Sequence, residues 1–182
     1  MKKVLLINIC KEKLAYFEFV KPIEDILKKN KIKYVVKDYK EVSGKDLDGK
    51  SNVIICGTTI FDNEFLEEVS RFNWLLDFPG KVLGICGGMH VIGLIFGGKL
   101  DKKTEVGYYD EKFEEEFLGL TDNCEVYHLH NNYIDFNTLK EFMVFVDNKV
   151  SQAVRHKKRE IYGVLFHPEV RQKELIRVFC SL

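Results

Sequence analysis

Short uninterrupted apolar runs recur along the first half of the chain, and most are followed by apolar residues at helical spacing. Val4 to Ile9 is the first run, the pattern expected of a strand buried on both faces of a parallel sheet. Pro22 opens a helix with Ile23, Ile26 and Leu27 on one face and Asn30 near its end. Ile32 to Val36 reads as a second strand, and Val53 to Cys56 as a third that stops at Gly57-Thr58-Thr59. Asp62 or Asn63 caps a helix carrying Phe65, Leu66, Val69 and Phe72. Val82 to Ile85 is a fourth strand, leading straight into Gly87-Gly88 and an apolar helix from Met89 to Phe96. Alternation of this kind predicts right-handed crossovers and a sheet covered on both sides.

The second half changes character. Glu125 to His130, Phe142 to Val146, Ser151 to Arg155 and Ile161 to Phe166 read as shorter strands, with Lys157 to Glu160 as a hairpin loop. Glu169 to Phe179, with Val170, Leu175, Ile176 and Phe179, reads as a closing helix. No repeat, low-complexity tract or linker interrupts the pattern. The expected fold is therefore α/β, an open and mostly parallel sheet flanked by helices, with a smaller antiparallel portion in the C-terminal half, in one domain spanning 1–182.

Composition narrows the partners. At 182 residues with 46% hydrophobic positions, one core can bury roughly 70% of the unfolded chain's surface. Charge balances at 28 basic against 28 acidic residues, which gives no electrostatic reason for nucleic acid or an anionic membrane as partner. The basic run Arg155 to Arg159 reads as a solvated hairpin turn. Nothing approaches the ~20 apolar residues of a membrane span. Met1-Lys2-Lys3 before Val4 superficially resembles a signal peptide, but the apolar run is short and no cleavage site follows, so a cytoplasmic location is expected. Five widely spaced cysteines without a C-x-x-C pair argue for free thiols rather than disulfides or zinc.

One of those thiols stands out. Gly84-Ile85-Cys86-Gly87-Gly88 links an apolar strand to an apolar helix, the pattern of a nucleophile elbow with cysteine as nucleophile. Glycines two residues either side let the strand turn sharply, and the helix N-terminus behind Cys86 favours thiolate over thiol. The carboxyl end of a strand is also where ligands bind in open α/β sheets. A buried cysteine in an ordinary glycine-rich turn would read the same way, so the motif needs a partner base.

Gly163-Val164-Leu165-Phe166-His167-Pro168-Glu169 supplies one at the end of another apolar strand. His167 can exchange a proton with Cys86, and Glu169 can hold the imidazole tautomer. Only folding could unite residues so distant in sequence.

Together the two motifs resemble the class I, or triad-type, glutamine amidotransferase family, in order and spacing over nearly the whole chain. Ala153-Val154-Arg155-His156-Lys157 before the last strand adds a likeness to the free-standing glutaminase subunit of GMP synthase. The resemblance implies a flavodoxin-like layering and a Cys86, His167, Glu169 triad. The triad would release ammonia from glutamine through a cysteinyl thioester. It further implies an oxyanion hole from the backbone N–H of Gly87 and of the loop at Gly57. Such donors are worth roughly 2.7–4 kcal/mol each. His130 and Asn131 fall where the family places a loop near the substrate. No cofactor or metal is implied. His128 and His130 alternate as metal ligands could, but the sequence offers no obvious third ligand beside them.

Two departures bear on glutamine recognition. His90 stands where the family commonly has glutamine, and the oxyanion loop reads Cys56-Gly57-Thr58-Thr59-Ile60 rather than a run of glycines with proline. His90 is expected to line the pocket. The chain has no phosphate loop, so the resemblance implies a separate ATP-dependent synthetase, a purine-nucleotide one such as GMP synthase first, receiving the ammonia. The alternatives are a cysteine hydrolase of another γ-glutamyl amide or peptide, and a non-catalytic domain that senses glutamine or binds a partner.

Overall fold

A computed structural model describes residues 3–47 and 52–182. Seven strands form one sheet in the order β2-β1-β3-β4-β9-β8-β7: β1 (Val4–Asn8), β2 (Tyr34–Asp38), β3 (Asn52–Ile55), β4 (Val82–Ile85), β7 (Phe142–Asp147), β8 (Ser151–His156) and β9 (Ile161–Val164). The first four and β9 are mutually parallel, whereas β8 and β7 run antiparallel at one edge. The expected α/β sheet with an antiparallel C-terminal portion is present.

Strands buried on both faces feed two apolar cores. On one face Val4, Leu6, Ile54 and Leu83 pack with Phe19, Val20 and Ile23 and with Leu175, Ile176 and Phe179. These come from the helical stretch of α1 (Lys13–Ala15), a π-turn (Tyr16–Val20) and α2 (Lys21–Lys29), and from α5 (Glu174–Ser181). On the other face Leu5, Ile7, Val53 and Ile55 meet Phe65, Phe72, Met89 and Ile92. Those belong to α3 (Glu64–Glu67), the 3-10 segment Val69–Leu76 and α4 (Gly87–Ile95).

Several boundaries differ from the pattern reading. Helix begins well before Pro22, at Lys13. Asn63 occupies the N-cap of α3 without a side-chain cap, because the acid beside it is used elsewhere: Asp62 accepts from Lys11 N at 2.6 Å and Thr58 Oγ1 at 2.9 Å. The closing helix starts at Glu174 rather than Glu169. Glu169 is buried against His167, and turns carry the chain to α5 with Val170 exposed. In the basic loop, Lys157 is exposed as read, but Arg159 donates to the carbonyls of Leu75, Leu76 and Phe78 and clamps the end of the 3-10 segment.

The largest difference is a long two-stranded antiparallel ribbon, β5 (Leu100–Phe117) with β6 (Leu120–Ile134), apart from the main sheet. The expected strand at Glu125 to His130 is the middle of β6, and β5 has no counterpart in the pattern reading. Phe113, Phe117, Leu120 and Val126 of the ribbon are buried in the first core. Among the described residues no helix is long and apolar enough to cross a membrane.

Candidate active site

The turn from β4 into α4 is built on close backbone approach. A Cβ at Gly84 would lie 2.5 Å from the Gly88 carbonyl oxygen, and one at Gly88 would collide with the Ile55 carbonyl. Only glycine fits either position. Cys86 sits between them at φ 49° and ψ −103°, a left-handed conformation that L-residues rarely adopt. Its N–H donates to Val164 O at 2.8 Å, and its own carbonyl accepts from Met89 N at 2.9 Å and His90 N at 3.1 Å. The strained residue is therefore held from both sides, at the N-cap of α4.

His167 follows β9, the neighbour of β4, so parallel pairing brings the two strand ends side by side. The His167 N–H donates to Tyr127 O at 2.8 Å, and the Cys86 thiol reaches Leu129 O at 3.6 Å, so β6 braces both residues. His167 Nδ1 lies 2.7 Å from Glu169 Oε1, with both side chains fully buried. Nε2 has no hydrogen-bond partner of good geometry. Burial alone would push the imidazole down, but Glu169 and then Cys86 outweigh it and hold His167 well above the ordinary imidazole range. A buried proton carrier thus adjoins the sulfur, oriented by a carboxylate. Phe19 packs on its ring at 5.2 Å between centroids.

The sulfur opens on a narrow cleft of about 20 Å³, lined by Thr58 to Ile60, Phe65, Cys86, Gly87, His90 and Leu129 to Asn132. All three sequence-predicted pocket residues, His90, His130 and Asn131, reach it. Each already spends at least one polar atom on the protein. His90 Nε2 lies 3.1 Å from Asn132 O, and burial lowers its pKa to about 4, leaving a neutral N–H donor. Asn131 Nδ2 donates to Ile60 O at 3.1 Å, tying β6 to the loop after β3. His130 turns its ring nitrogens towards Lys103 O and Glu105. Gly87 lines the cleft at the first position of α4, where helical N–H groups are unpaired. Gly57 lies next to His167 and Cys86.

Pattern reading missed four contributors. Asp62 braces the Thr58 loop, although its sequence signal was only that of a helix cap. Tyr127 and Leu129 act through backbone carbonyls, which no sequence displays. Glu105 from β5 joins His128 and His130, supplying the third ligand type that the sequence did not reveal beside the two histidines.

Comparison with known proteins shows the family and the fold. The family model for glutamine amidotransferase class-I matches residues 15–178. Curated GMP synthases described as glutamine-hydrolysing, from Staphylococcus epidermidis and Staphylococcus aureus, are 37% identical over 99 residues, covering 51% of this chain and 19% of each relative. The chain thus matches about a fifth of those relatives' length. Among solved structures, a protein described as one subunit of a GMP synthase, from Thermoplasma acidophilum, superposes with a TM-score of 0.84 at 22% identity, covering 100% of this chain and 95% of that one. A glutamine amidotransferase from Thermotoga maritima gives a TM-score of 0.68 at 20% identity over 99% of this chain and 83% of the other.

Proposed function

Because this chain belongs to the class-I glutamine amidotransferase family, we propose that it hydrolyses the side-chain amide of glutamine and passes the ammonia to a separate ATP-dependent synthetase. One observation carries this reading: Cys86, held at φ 49° on a helix N-terminus, adjoins a buried His167–Glu169 pair separated by 2.7 Å.

The residues divide the chemistry as follows. Cys86 Sγ attacks the amide carbon while its proton passes to His167. The developing oxyanion meets the Gly87 N–H and the loop at Gly57, where backbone donors need no reorganisation. His167 returns the proton to the amide nitrogen, ammonia leaves, and a γ-glutamyl thioester remains. Water, losing a proton to His167, attacks the thioester; the sulfur departs, regains the proton, and glutamate is released. Glu169 keeps Nδ1 paired throughout, so Nε2 does the proton transfer. His90 and Asn131 border the substrate cleft. The departures at His90 and at Thr58-Thr59 leave all three catalytic groups in place.

The partner reading is supported by the likeness to GMP synthases described as glutamine-hydrolysing. A chloroketone analogue of glutamine is expected to label Cys86 alone, and Cys86→Ala to abolish both labelling and ammonia release. Labelling spread over all five cysteines would overturn the assignment. Turnover of γ-glutamyl peptides without turnover of glutamine would move it to another amide substrate.

A further inference from the structure

The ribbon of β5 and β6 assembles a second group of chemistry-bearing side chains beside the cleft. His128 and His130, two apart on β6, face the same way, and the ribbon register sets Glu105 directly opposite His130. One donor atom from each of Glu105, His128 and His130 lies within 4.8 Å of the other two. Both histidines are buried, at 0% and 2% exposure.

Their hydrogen bonds do not close while both rings are neutral. His130 Nδ1 lies 3.2 Å from Lys103 O, and Nε2 lies 3.0 Å from Glu105 Oε2. Both neighbours are acceptors, whereas a neutral imidazole has one N–H to give. One of the two contacts then sets lone pair against lone pair. His128 shows the complementary fault: Nε2 lies 3.1 Å from Glu111 Oε1, while Nδ1, fully buried, has no partner.

We propose that Glu105, His128 and His130 hold a divalent transition-metal ion of the zinc type, each giving one ligand atom. Two imidazoles and a carboxylate are a donor set such ions accept. Surrounding groups are placed to orient those ligands. Gln152 Nε2 donates to Glu105 Oε2 at 2.7 Å, and Glu111, itself held by Asn148 at 2.6 Å, faces the His128 ring. The ion would tie β5 to β6, whose carbonyls at Tyr127 and Leu129 contact His167 and Cys86. Its role is structural, fixing the strand against which the nucleophile and base are set.

The test uses the full chain stripped with a chelator. Titration with zinc by calorimetry should show one equivalent per chain and raise Tm, and cobalt should give visible bands without thiolate-to-cobalt charge transfer. Cys86→Ala should bind equally well. Glu105→Gln and His130→Gln should weaken binding at least about 100-fold, and Glu111→Gln, which only orients a ligand, about 10- to 100-fold. Circular dichroism identifies variants that fold. A folded wild-type chain that takes up neither ion would overturn the proposal. So would a thiolate band, or unchanged affinity in a folded Glu105→Gln.

Discussion

The imidazole of His167 occupies the space where Gly57 would carry a side chain: a Cβ there would lie 2.7 Å from His167 Cε1 and 3.5 Å from the Cβ of Cys86. Glycine at the end of β3 is thus what lets the base approach the nucleophile.

Gly57→Ala should therefore displace His167. We expect a stability loss of about 1–3 kcal/mol from overpacking and a fall in glutaminase turnover of at least roughly 100-fold, as for small misplacements of catalytic groups. Denaturant midpoints and ammonia release measure the two. Wild-type turnover in the Gly57→Ala variant would show that the ring has room to spare.

Cys86 carries its strain in the backbone. Glycine visits the left-handed region without the Cβ collision, so Cys86→Gly should be more stable than Cys86→Ala by roughly 1 kcal/mol, though both are inactive. Chemical denaturation of the pair checks this. Equal stability would mean that the φ of 49° costs the fold nothing.

The His167–Glu169 pair predicts a pH dependence with a definite sign. His167 binds its proton more tightly folded than unfolded, because Glu169 and Cys86 outweigh burial. The pair's stabilisation is fully present below the unfolded value near pH 6.5, declines as pH rises above it, and is gone beyond the folded value. Glu169→Gln should flatten that decline and lower turnover on the order of 10²–10⁴-fold. Denaturant midpoints from pH 6 to 10 distinguish the outcomes; a wild-type curve that rises over this range would contradict the assignment.

Three other thiols, the buried Cys10 and Cys56 and the partly buried Cys180, should be slow to alkylate. Burial, reinforced by Asp62, pushes Cys10 up to about 12, and burial alone does the same for Cys180. Cys56 is also raised well above its ordinary value, first by burial. Iodoacetamide at pH 8 should leave these three unmodified in the folded chain, as mass spectrometry of peptides would show. Rapid modification of Cys10 would mean that the Thr58 loop opens readily.

How much of this was legible beforehand differs between elements. The inner parallel strands announce themselves because strands buried on both faces must be continuously apolar, as at Val4 to Ile7 and Val82 to Ile85, whereas the edge strand β2 is only half-buried and ends in Lys37 and Asp38. β5 gave no such signal. Its solvated faces carry Lys102, Lys103, Asp110, Lys112 and Glu114 to Glu116, so neither continuity nor alternation marks it. The start of α5 was misplaced because Glu169, acceptable in a first helical turn, is spent on His167 instead.

By itself the sequence determined the elbow and singled out Cys86, His167 and Glu169 as candidate chemistry, since glycine spacing and residue type dictate what a strand-to-helix turn can hold. Tertiary structure alone decided that β9 lies beside β4, that Gly57 yields its side-chain space to His167, and that Glu105 meets His128 and His130. The reason is physical: local pattern reports which face of an element is buried, whereas strand order and ribbon register are set by long-range pairing.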